Sequence, residues 1–98
     1  MVINKIQKED SIVLAPEGFL DTANAPAFET EMEAASNETK NLIVDFAKVE
    51  YISSSGLRVL LKIQKKMNGC GSQKLINVSD NVKEVFELTG FVDILDIA

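Results

Sequence analysis

The run Leu42-Ile-Val-Asp-Phe46 limits the fold more than any other stretch of this chain. Apolar residues fall on both sides of its pleat, the pattern of a central strand covered on both faces in a largely parallel sheet. A parallel neighbour is reached only through a crossover of a dozen or more residues, usually a helix. One follows at once. Beyond a short loop, the segment that starts near Ser53 carries Leu57, Leu60, Leu61, Ile63 and Met67 on one side. Arg58, Lys62, Lys65 and Lys66 fall on the other, as an amphipathic surface helix requires.

The flanking segments extend the pattern. Val2–Gln7 alternates as an edge strand, and Ile12–Ala15 reads as a more buried strand stopped by Pro16, close enough to pair as an antiparallel hairpin. Gly18–Ala25 reads as a loop that leads to Pro26 in the first turn of a helix, where a missing N–H does no harm. That helix runs to about Ser36, with Phe28, Met32 and Ala35 inward and Glu29, Glu31 and Glu33 solvated. Gly69–Ser72 breaks the second helix and Leu75–Val78 forms the next strand. Ser79 or Asp80 caps a third helix, with Val82, Val85 and Phe86 inward, that ends at Gly90. Phe91–Leu95 adds a last short strand or packs as a tail. The expectation is an α/β fold in the order β-β-α-β-α-β-α, a mixed sheet of four to five strands packed with helices, as a single domain over residues 1–98.

Composition removes several function classes. The chain has no histidine, which takes away the usual general base, the usual metal ligand and any Ser-His pair. No Walker-type Gly-rich phosphate loop is present. The expectation is a protein that is not an enzyme and needs no metal or cofactor. A net charge of −5 opposes nucleic-acid backbones. No apolar stretch is long enough for a membrane span, and the N-terminal residues lack a secretion signal. A lone Cys70 between Gly69 and Gly71 cannot form an internal disulfide, which suits a cytoplasmic location.

Chemistry is concentrated in Ser53-Ser54-Ser55-Gly56. A serine at a helix start can cap the free N–H groups, worth about 1 kcal/mol. It can also carry a phosphate, which the helix N-terminus tolerates through its N–H donors and dipole. Three serines exceed what capping needs, and no Glu or Gln stands three residues on to complete a capping box. The loop is expected directly after the carboxyl end of the buried strand, where open α/β sheets bind ligands. Gly56, lacking a side chain, is expected to leave the serine hydroxyl open to a partner.

The run from Asp45 to Leu61, DFAKVEYISSSGLRVLL, closely resembles the signature of STAS domains, in particular bacterial anti-sigma factor antagonists. Gly18–Ala25, GFLDTANA, looks like that family's second motif, and the order of elements matches along essentially the whole chain. The resemblance implies a partner-switching cycle. The bare antagonist binds an anti-sigma factor that is also a serine kinase, and sigma is released. Phosphorylation frees the antagonist, and a metal-dependent serine phosphatase resets it. The serine before the Gly-Leu pair is the acceptor in such proteins, which is Ser55 here, with Ser54 the second choice. The chain departs from the pattern two residues earlier, where Ser53 replaces the usual Asp. Asp21 and Asn24 resemble partner-facing residues, although turn and cap chemistry accounts for them equally. Ser53, Ser54, Gly56, Leu57, Arg58 and Lys62 complete the expected partner surface. Some stand-alone STAS domains resemble accessory subunits that dock on the ATPase of a membrane lipid transporter, and this is the alternative reading.

Overall fold

The computed structural model describes residues 1–98. Strands β1 (Ile3–Gln7) and β2 (Ile12–Pro16) form the antiparallel hairpin, in register from Ile3 opposite Pro16 to Gln7 opposite Ile12. The chain continues through β3 (Gly18–Leu20), α1 (Ala25–Glu38), β4 (Asn41–Asp45), β5 (Val49–Ile52) and α2 (Ser54–Met67). It ends with β6 (Ser72–Ile76), α3 (Asp80–Thr89), a 3-10 turn over Phe91–Asp93 and β7 (Asp96–Ile97). The main sheet has the order β1-β2-β4-β6-β7, and every pairing after the hairpin is parallel. The mixed α/β expectation and the five-stranded limit both hold.

Several details differ from the sequence reading, among them β6, which spans Ser72–Ile76 rather than Leu75–Val78. Gly18–Leu20 is a strand rather than loop, and so is Val49–Ile52. The two pair in parallel as a separate two-stranded sheet. Segments of three and four residues are too short to show periodicity, and their strand character comes from this distant pairing. The sheet is also covered on one face only. Along β4, Leu42 and Val44 are buried while Ile43 and Asp45 are half-buried, and on β6 Lys74 is exposed between buried Gln73 and Leu75. In the second helix Leu61 is half-buried, and Val59 and Gln64 take buried positions instead. Phe91–Leu95 packs as a tail, and the short strand comes after it. A 3-10 turn leads to buried Leu95, and the two-residue β7 follows.

The core forms a single cluster of 21 buried residues that joins Ile12, Leu14, Leu42, Val44 and Leu75 of the sheet to apolar faces of all three helices. Phe86 of α3 meets Phe46 edge to face, with ring centroids 6.1 Å apart at 63°. The expected helix ends hold at α3. Ser79 Oγ accepts from the Val82 N–H at 3.3 Å, and Gly90 takes the left-handed conformation with φ 81°. Pro26 lies in the first turn of α1, as expected. This core fixes the relative position of three short pieces: the end of β3, the end of β5 and the start of α2.

Candidate functional site

The serine loop follows β5, not the central strand β4, which corrects the expected placement. Between them, residues 46–48 turn the chain out of the main sheet so that β5 can pair with β3. Asp45 serves that turn. Its Oδ1 accepts from the Ala47 N–H at 2.9 Å and from Asn77 Nδ2 at 3.0 Å.

The three serines differ in what their hydroxyls do. Ser53 precedes α2 in extended conformation, but its side chain makes no cap bond. Its hydroxyl donates instead to the Leu20 carbonyl at 3.2 Å, and its backbone N–H donates to the same oxygen at 2.9 Å. An aspartate, which has no proton to give at neutral pH, could not make the first bond. Ser54 is exposed. Ser55 is half-buried, and its hydroxyl lies 3.0 Å from the Thr22 hydroxyl, its one side-chain hydrogen bond. Plain capping therefore accounts for none of the three side chains.

Gly56 has a different role from the one expected. It is buried, and a Cβ there would lie 2.7 Å from the Leu20 carbonyl oxygen and 2.8 Å from Ile52 Cγ1. Its missing side chain lets α2 seat against β3 and β5. Leu57 is buried in the core at 5% exposure. These two residues hold the loop from beneath and offer no side chain to a partner.

The loop 21–24 sits beside Ser55. Asp21 Oδ1 accepts from the Asn24 N–H at 3.0 Å, and Asn24 Nδ2 donates to the Phe19 carbonyl at 2.9 Å. Both half-buried side chains are engaged within the turn, and Thr22 and Ala23 are its exposed residues. Arg58 is exposed and forms no ion pair. Lys62 is tied back to α1, 3.0 Å from both Glu29 and Glu33, so those two glutamates are not simply solvated. The hydrogen bond from Lys62, followed by its charge, holds the Glu33 carboxyl below its ordinary value, and the glutamates hold Lys62 above its own. Thr22, Glu29, Ser55, Arg58 and Lys62 line one groove of about 550 Å³ between α1 and α2.

Sequence reading missed Thr22, Phe19 and Tyr51. Phe19 and Tyr51 stand opposite each other across β3 and β5, each about half exposed, and flank the loops at 21–24 and 53–55. No local signal marks these pairings, because the partners lie more than thirty residues apart in sequence. The structure contains no cluster of three or more His, Cys, Asp or Glu side chains able to hold a metal ion. No helix is long and apolar enough to cross a membrane.

Comparisons with known proteins agree with this fold. The family model described as STAS domain matches residues 2–98. BtrV of Bordetella bronchiseptica, whose name marks it as a candidate anti-sigma factor antagonist, is 33% identical over 95% of this chain and 83% of its own length. The anti-sigma-B factor antagonist of Bacillus subtilis is 32% identical over 94% of this chain and 85% of its own. Among solved structures, the unphosphorylated form of the anti-sigma factor antagonist SpoIIAA superposes with a TM-score of 0.81 at 20% identity, covering 99% of this chain and 88% of that one. The phosphorylated form of SpoIIAA gives 0.75 at 19% identity, covering 99% and 91%. At such identities the structural likeness speaks for the fold.

Proposed function

This chain belongs to the STAS domain family, and we propose that within it the chain acts as an anti-sigma factor antagonist switched by phosphorylation of Ser55. The bare protein binds an anti-sigma factor that is itself a serine kinase, and sigma goes free. The kinase transfers the γ-phosphoryl group of ATP to Ser55 Oγ, ADP leaves, and the serine proton passes to a base on the kinase. The phosphorylated protein releases its partner, and a serine phosphatase hydrolyses the ester to restore the hydroxyl.

The observation that carries this reading is the state of Ser55. Its hydroxyl stands at the start of α2, takes no part in capping, and shares one hydrogen bond with Thr22 on an accessible groove. Around it, exposed Ser54, Thr22, Ala23 and Arg58 together with the aromatic pair Phe19 and Tyr51 make a surface of the composition that protein partners favour, with aromatic and arginine side chains prominent. Asp21, Asn24 and Ser53 shape that surface, and Gly56 and Leu57 support it. Lys62, held by α1, stands at its margin.

A phosphate adds about −1.5 to −2 charges at neutral pH. An interface formed around a neutral hydroxyl would then enclose a dianion for which the partner offers no matching charge, at a cost of about 2–5 kcal/mol. That corresponds to a loss of about thirty-fold to a few thousand-fold in affinity. No refolding is needed for release. The site assignment is tested by incubating the protein with host lysate and ATP and mapping the phosphate by peptide mass spectrometry. Phosphate on Ser55 that disappears in Ser55→Ala is the expected result. Phosphate confined to Ser54, or to neither serine, would overturn it.

A further inference from the structure

Two side chains from different elements, Thr22 and Arg58, line the groove beside Ser55. Thr22, on the turn before α1, places its hydroxyl 3.0 Å from Ser55 Oγ. Arg58 lies three residues beyond Ser55 on α2, a spacing that makes two side chains neighbours on a helix face. All three line the groove between α1 and α2. The other charges of the groove, Lys62 and Glu29, are paired with each other at 3.0 Å. Arg58 is the cation left without a partner.

We propose that the phosphoryl group, once on Ser55, is received in this groove by the protein itself, accepting a hydrogen bond from the Thr22 hydroxyl and pairing with the Arg58 guanidinium. The inference rests on Ser55 being the acceptor and adds how the modified state is held. The neutral Thr22–Ser55 hydrogen bond becomes a charge-assisted bond to a phosphate oxygen, which is roughly twice as strong. Arg58 supplies a planar fork suited to phosphate. From α1, Glu29 opposes the dianion and Glu33 stands behind it, while Lys62 and Lys66 from α2 balance those two carboxylates. Asp21, on the turn that carries Thr22, directs its Oδ1 to the Asn24 N–H. A phosphate held there also engages Thr22 and Arg58, two residues of the partner surface, and the phosphatase must displace it from Arg58 before hydrolysis.

The test uses full-length protein carrying phosphoserine at position 55 installed during translation, so it depends on no kinase. The phosphate is titrated by 31P NMR from pH 4 to 8 in the otherwise wild-type protein and in Thr22→Val, Thr22→Ser, Arg58→Gln and Arg58→Lys. The N-terminus of α2 acts on the phosphate equally in all five. Arg58→Gln and Thr22→Val are expected to move the titration to higher pH, with the larger shift for Arg58→Gln. Thr22→Ser and Arg58→Lys should restore most of it. Coincident titration curves in all five proteins would overturn the inference. Failure of Ser55 as the natural acceptor would instead appear in the phosphopeptide map, so the two failures are separable.

Discussion

Gly56 shows how closely the site is built at the level of single atoms. A methyl group added there would need α2 to move away from the Leu20 carbonyl, which backbone cannot yield easily. Gly56→Ala is expected to cost about 1–3 kcal/mol, the usual range for overpacking a tight contact. Urea denaturation followed by circular dichroism measures it, and a change within error would remove the close-approach argument. The glycine stood out in the sequence, but its purpose did not. Beside three serines it reads as clearance for a partner, and only the folded position of Leu20 reveals a packing role. Ser53 taught the same lesson. As a departure from the family's aspartate it was visible, but the carbonyl that its hydroxyl serves lies on a strand 33 residues away.

Helix α2 shows what an element contributes beyond its residues. Its apolar face was legible from periodicity, and so were its basic residues, but the destination of Lys62 on Glu29 and Glu33 depends on how α1 crosses it. That contact has a pH signature. Glu33 titrates below its ordinary 4.5, so its favourable contribution is present above that pH and fades as pH falls through the lowered value. Lys62 titrates above its ordinary 10.5, so its contribution is present below that pH and fades as pH rises through the raised value. The stability difference between wild type and Glu33→Gln should therefore be flat across neutral pH and close in acid. It should also shrink at high salt, because the groups are exposed and screened. Thermal melts over pH 2–8 at two salt concentrations measure it; a gap that widens in acid would contradict the pairing. Strands β3 and β5 were illegible for a related reason. They exist because they pair with each other, and neither carries enough residues to declare itself.

At the scale of the whole molecule, the proposed switch site rests on a single continuous core. Phe86 is fully buried against Phe46 and ties α3 to the core that carries β5 and α2. Phe86→Ala is expected to lose about 3–5 kcal/mol, read by urea denaturation. A loss under about 1 kcal/mol would show that α3 is peripheral. The order of elements and the mixed sheet were readable because long amphipathic helices and apolar strands announce themselves. One-sided coverage was not, because Ile43 in a five-residue run looks the same whether a helix covers it or water does. Charge at Ser55 is what the proposed release turns on. Wild-type protein, Ser55→Ala and Ser55→Asp should be used as baits in host lysate, with captured proteins identified by mass and their affinities then measured. Wild type and Ser55→Ala are expected to retain an ATP-binding serine kinase, and Ser55→Asp to bind it about thirty-fold or more weakly. Equal capture by all three baits, of that kinase or of a lipid-transporter ATPase, would contradict that expectation.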